Sequence, residues 1–122
     1  MAYPRIPRAD SKLLTVEIED ISTAGQSYIC PGFDGKIVRI SSVINGTIAT
    51  ANATLTPKIS GTAVTGGAIT VAYSGSAAGD VDSSTPTGAN TFSATDNIEI
   101  ETSGASTNTV KCFITIEVVP GR

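Results

Sequence analysis

Hydrophobic and polar residues alternate along nearly the whole chain with a period of two. Leu14, Val16 and Ile18 interleave with Thr15, Glu17 and Glu19, which makes a strand with one face for a core and one for water. Residues 27–30 form a short second strand closed by Pro31-Gly32, and Phe33-Asp34-Gly35 leads into a third over residues 36–44. In that third strand Val38, Ile40 and Ile44 share one phase while Ile37 and Val43 occupy the other, a pattern that predicts cover on both sides. Asn45-Gly46 then supplies the positive-φ residues of a tight turn.

The alternation resumes over residues 53–60, where Leu55 and Ile59 share a phase with Pro57. Proline has no N–H for a ladder, so this strand is expected at a sheet edge or broken at Pro57. Gly61-Thr62 and Gly66-Gly67 bracket a short segment at 63–65, and residues 68–74 read as a strand with Ile69, Val71 and Tyr73 in the core phase. Residues 75–90 hold Gly79-Asp80, Asp82, three serines and Pro86, which is loop chemistry without a strand signal. A short strand at 91–94, the alternating Ile98 and Ile100, and a long clean strand over 109–119 complete the pattern.

Seven to nine short strands and no run with a helical period predict an all-β protein, an antiparallel β-sandwich or barrel. Eight strands would suit a jelly-roll-like winding. The first twelve residues, M-A-Y-P-R-I-P-R-A-D-S-K, break the pattern with two prolines and three cations against one acid. They read as an extended basic arm, residues 1–12, ahead of a single β-domain at 13–122.

Charge sharpens this division. The net charge of the 122-residue chain is −3, yet the arm carries +2, and residues 13–121 set four cations against ten acids, leaving −6. With only 16% charged residues there is no broad basic surface for nucleic acid, and no apolar run is long enough to span a membrane or to act as a signal peptide. The protein is expected to be made and used without secretion. Cys30 and Cys112 lack the spacing of a zinc site. Cys112 falls in phase with Val110 and Ile114 as a small core residue, and a Cys30–Cys112 bridge, which needs their strands to pair, is not expected in a reducing cytosol.

The search for chemistry is mostly negative. Histidine is absent, and with it Ser-His and Cys-His nucleophile pairs; Glu17/Glu19 and Glu99/Glu101 sit in the water-facing phase of amphipathic strands. Gly66-Gly67 has no following Lys-Ser/Thr for a phosphate loop. Enzyme activity and bound cofactors are therefore not expected. Asp80 and Asp82 form the one oxygen-rich cluster for a hard cation, against the plainer reading of a Gly79-Asp80 turn and a solvated Asp82.

What remains is attachment. Prolines at 4 and 7 favour extended backbone, so Arg5 and Arg8, three residues apart, fall on one side of a polyproline turn, with Tyr3 and Ile6 as apolar contacts and Lys12 as a further cation. A frayed terminus is the plain alternative. Ile37 and Val43, in the phase opposite the main core face, are candidate interface positions, as are Phe33 and Phe92 at loop tips. The two phenylalanines could equally cap the core, and they are what a glycan- or receptor-binding module of a phage tail or fibre would use in a chain with no Trp.

The run V-I-N-G-T at 43–47, L-T-P-K-I-S-G-T-A-V-T-G-G-A-I at 55–69, S-G-S-A-A-G-D-V-D-S-S-T-P-T at 74–87 and I-T-I-E-V from 114 resemble small Thr/Gly-rich head-decoration, or cement, proteins of tailed bacteriophages. The resemblance spans most of residues 13–119 and rests on turn and strand patterns. It implies a jelly-roll-like module that assembles as a trimer on the phage head, bound to the major capsid protein, with the N-terminal segment reaching onto the shell or a neighbour. It places the protein on the virion surface after synthesis in the host cytoplasm, and carries over no catalytic residue.

Overall fold

The structure is a computed structural model and describes residues 11–121. Ten strands are found there: β1 (Lys12–Ile18), β2 (Gly25–Ile29), β3 (Gly35–Ile44), β4 (Ala53–Ile59), β5 (Thr62–Ala63), β6 (Ile69–Val71), β7 (Val81–Ser84), β8 (Thr91–Phe92), β9 (Ile98–Thr102) and β10 (Cys112–Pro120). They make two five-stranded sheets, all pairings antiparallel. The first has the order β1-β10-β3-β7, with β8 also on β3; the second has the order β2-β9-β4-β5, with β6 also on β4. The protein is an antiparallel β-sandwich, as the period of two predicts.

Its core is one continuous layer of aliphatic side chains from the inner phases of both sheets. Ile40, Ile44, Ile114, Ile116 and Val118 come from the first sheet and Leu55, Ile98, Ile100 and Val71 from the second, each essentially fully buried. Burial of this kind stabilises by roughly 1.5–3 kcal/mol per large aliphatic side chain. Cys112 belongs to the same layer, and no disulfide forms: both cysteines are free, Cys30 exposed and Cys112 buried.

The two-phase pattern of β3 has a different cause from the one expected. Ile37 pairs with Val118 and Arg39 with Glu117, so two β3 steps oppose one step of β10 and Val38 is the extra residue of a bulge. The bulge reverses the phase: Gly35 and Ile37 point inward before it, and Ile40, Ser42 and Ile44 after it. Ile37, 0% exposed, is thus a core residue and not an interface position, which corrects the expectation placed on it.

Pro57 is corrected likewise. β4 is central, between β9 on one side and β5 and β6 on the other. Val64 N–H donates to the Pro57 carbonyl at 2.9 Å, and the N and C=O of a strand residue face the same side, so the missing donor points away from β9. There the outer partner changes: β6 pairs with 53–55 and β5 with 58–59, and Pro57 falls in the gap. A proline in a central strand is tolerated because no ladder bond is due at that position.

Two further differences concern residues 68–90. Tyr73, expected in the core, lies beyond β6 and is exposed; its N–H donates to Asn52 Oδ1 at 3.1 Å, and the strand has already ended. The supposed loop contains β7, which pairs with β3 through Val43↔Val81, Ser42↔Asp82, Ser41↔Ser83 and Ile40↔Ser84. Asp82 is therefore a strand residue, half-buried beside Ser42, and not a solvated loop residue.

Candidate interaction surface

The two outward faces of the sandwich differ sharply in chemistry. On the second sheet, the register sets Glu99 between Tyr28 and Lys58, and Glu101 between Gln26 and Thr56. Lys58 Nζ lies 2.9 Å from Glu101 Oε1; this hydrogen-bonded pair raises the Lys58 pKa and lowers that of Glu101. Glu99, expected to face open water, is 7% exposed, because a central strand is shaded by both neighbours. This face carries the Lys58–Glu101 pair beside the exposed ring of Tyr28.

The first sheet presents three transverse rows. Leu13, Glu117 and Arg39 form one, Thr15, Thr115, Ser41 and Ser83 the next, and Glu17, Phe113, Val43 and Val81 the third. The third row is apolar over three adjacent strands, with Phe113 at 41% and Val81 at 66% exposure. Cross-strand neighbours of this kind stand about 4.5–5.5 Å apart, so the three side chains make one contiguous strip. Exposed apolar residues scattered singly are unremarkable, whereas here three adjoin on one face. Val43 lies on the outward face as its phase predicts; Phe113 and Val81 were not singled out from the sequence, because their rows exist only once the register of three strands is known.

The first row sets Glu117 opposite Arg39 in register at the other end of the same face. Glu117 is on the outward phase of β10, 5% exposed, and accepts a hydrogen bond from Ser11 Oγ at 3.2 Å. Glu17 at the end of the apolar row pairs with Lys111 at 3.3 Å. Of the arm residues, Lys12 is the first residue of β1 and exposed, while Tyr3, Arg5, Ile6 and Arg8 lie outside the described residues. The chain thus enters the sandwich beside this face.

Phe33 and Phe92 are the aromatic candidates at a sandwich end, and the structure gives them a core role. Phe92 is 2% exposed and meets Phe33 edge-to-face at 5.8 Å between centroids. Gly35 opposite it is obligatory: a Cβ there would stand 2.8 Å from Phe92 Cζ and 2.9 Å from the Val119 carbonyl. Phe92 is therefore no interface anchor, and Phe33 is half-buried against it.

Asp80 closes a turn, its Oδ2 accepting from Ala77 N–H at 2.9 Å, and no group of three His, Cys, Asp or Glu side chains converges among the described residues. An open cleft of about 310 Å³ is lined by Ile59, Ser60, Thr62, Ala89, Asn90, Thr91 and Asp96. Asp96 is occupied there by Ser93 N–H at 2.8 Å and Ser60 Oγ at 2.7 Å, which hold its pKa below the usual carboxylate range. A second cleft, about 230 Å³, ends at Asp20, whose carboxyl is lowered by hydrogen bonds from Ser22 and Thr23. Both carboxylates serve as turn caps.

The thiols separate by environment. Burial, then the Asp82 carboxylate, pushes Cys112 up to about 11, whereas Cys30 is exposed. One thiol per chain is expected to react with a neutral-pH thiol reagent in the native state and two after denaturation; two reacting at once in the native state would contradict the burial of Cys112.

No family model matches this sequence, and no curated protein matches it. Among solved structures, the fold is similar to a chain of the acidic stable capsid structure of Helicobacter pylori bacteriophage KHP30, with 16% identity, a TM-score of 0.58, and coverage of 90% of this chain and 87% of that one. A chain of the cyanophage Pam1 capsid asymmetric unit aligns over 99% of this chain and 93% of its own, with 12% identity and a TM-score of 0.47. The KHP30 likeness establishes a shared fold over nearly the full length. The resemblance to phage head proteins read from the sequence is matched by a structural neighbour from a phage capsid.

Proposed function

We propose that this chain is a structural protein of a phage head, a decoration or cement protein that binds the assembled capsid at the virion surface. The observation that carries this reading is the likeness, over 90% of the chain, to a chain of a phage capsid structure. The winding supports it: the first strand lies beside the last, and β1, β2, β3 and β4 alternate between sheets, as in a jelly roll. So does the absence of histidine, which leaves a binding role as the better fit than catalysis.

In this reading the capsid contact is composite. The outward face of the first sheet contributes the Phe113–Val43–Val81 strip, and the basic arm that begins beside it contributes Tyr3, Arg5, Ile6, Arg8 and Lys12. The partner is the major capsid protein, and the protein acts as a homotrimer. Cement proteins stabilise a shell by burying surface across joints between capsomers, and binding that favours the assembled lattice stabilises it by mass action. Many copies on one shell multiply individually weak contacts.

The test is co-sedimentation with heads of the phage that encodes the chain, with the mass in solution measured by light scattering. Deleting residues 1–10 leaves β1 whole and is expected to abolish or strongly reduce head binding by a folded protein; undiminished binding by the truncated form would remove the arm from the contact. The glycan-binding alternative loses the two phenylalanines it would use, because Phe92 is buried and Phe33 packs on it.

A further inference from the structure

We propose that the outward face of the second sheet holds a binding site for an arginine side chain of a partner protein, built from the ring of Tyr28 and the carboxylate of Glu99. The site lies on the sheet opposite the Phe113–Val43–Val81 strip, and the inference stands independently of the capsid reading. It starts from Glu99.

Glu99 is on the outward phase of β9 and only 7% exposed, yet it makes no hydrogen bond or ion pair with any described residue. Its neighbour on one side, Lys58, is committed elsewhere, with Nζ 2.9 Å from Glu101 Oε1. On the other side stands Tyr28. The Ser60 N–H bond to the Asn97 carbonyl and the Ser103 N–H bond to the Thr54 carbonyl, each 3.0 Å, continue the β4–β9 ladder at its two ends. They turn the backbone N–H and C=O groups of the odd-numbered residues of β9 toward β4. Glu99 and Tyr28 are thus a non-hydrogen-bonded pair, the kind in which backbones approach to about 4.5 Å and side chains stand closest.

The ring therefore shades the carboxylate without satisfying it. Among the described residues, the fully enclosed side-chain atoms that lack a partner are the hydroxyls of Ser42 and Ser106, so both Glu99 oxygens still meet solvent and a ligand can reach them. A shaded carboxylate with no donor is unfavourable, and a ligand that brings donors relieves it.

The chemistry of that ligand follows from the neighbours. Glu99, Glu101 and Lys58 together leave one negative charge, on a body where residues 13–121 carry −6. A neutral ligand would leave that charge in place, whereas a cation removes it. β2 is an edge strand, and Tyr28 is 59% exposed beside the carboxylate. A guanidinium group suits both: it is planar, stacks on an aromatic ring, donates in a fork to a carboxylate, and is more weakly hydrated than an ammonium group.

Nuclear magnetic resonance titration of the isotope-labelled full chain with N-acetyl-arginine amide tests this. Saturable shifts are expected at Tyr28, Glu99 and their neighbours in β2 and β9. Glu99→Gln and Tyr28→Ala are each expected to weaken binding about fivefold or more, and the citrulline analogue, which keeps the shape and lacks the charge, to bind weaker by a similar factor. Because Glu99→Gln removes a charge that has no partner, its urea midpoint is expected not to fall below that of the wild type. A lower midpoint would overturn the proposal by showing that the carboxylate already holds the sheet together. Shifts located elsewhere, or binding unchanged in both variants, would overturn it as well. So would a neutral oligosaccharide such as cellohexaose shifting Tyr28 where the arginine compound does not, which would assign the ring to a glycan. No capsid enters the measurement, so its failure and that of the head-binding assay are distinguishable.

Discussion

Phe92→Ala is expected to destabilise the sandwich by about 3–5 kcal/mol, read as a lower urea midpoint at unchanged slope. The ring fills the space that Gly35 leaves open and closes the core against Phe33. Truncation leaves a void that the backbone of Gly35 and Val119 cannot fill, because β3 and β10 are held there by Pro120↔Gly35 and Val119↔Lys36 pairing. For a domain whose total stability is about 5–15 kcal/mol, this is a large fraction. Phe33→Ala, at a half-buried site, is expected to cost clearly less. A small effect at Phe92 would mean that its ring is replaceable and would return it to the list of surface anchors.

The second large effect is a contrast between two positions of equal parity in one strand. Ile37→Glu is expected to cost about 4–5 kcal/mol or more, because it places an unpaired carboxylate in the core. Val43→Glu is expected to stay within about 1 kcal/mol, because that side chain stands on the outward face. Without the Val38 bulge the two would behave alike. Chemical denaturation of both variants side by side reads the bulge directly, and similar losses at both positions would mean that β3 runs without it.

The same strand shows how much of this protein could be read before its structure. β1, β9 and β10 announce themselves because each alternates Ile, Val or Leu with polar residues and packs on one side only. In β3 the residues Ile37, Val38 and Ile40 are apolar on both phases, and a strand covered on two sides yields the same letters as a bulged strand covered on one. Only pairing with β10 distinguishes them. β7 was illegible for the opposite reason: Val81 is its one apolar residue and points outward, so its inward side is Asp82 and Ser84, with Ser84 Oγ donating to the Gly67 carbonyl at 2.8 Å. A strand held by backbone bonds and hydroxyls leaves no hydrophobic period.

The candidate surface was legible in part. Val43 could be chosen from its phase, but Phe113 gains meaning only beside Val43 and Val81 in register, and registers of strands 30 to 70 residues apart are set by the closed sandwich. Phe33 and Phe92 were ambiguous because an aromatic next to a turn can cap a core or project from it, and the deciding contact is with Gly35, a residue without a side chain.

The gap at Pro57 has a consequence for motion. Residues 60–68 return to β4 through the two-residue strand β5 and the Val64 N–H bond to Pro57, and the neighbouring partner β6 is only three residues long. Amide protons there should exchange with solvent by local opening, on a timescale far shorter than those of β10, which is clasped along its length by β1 and β3 and releases its protons only when the whole molecule unfolds. The sandwich would then have a firm half and a yielding corner, and the strip formed by Phe113, Val43 and Val81 stands on the firm half.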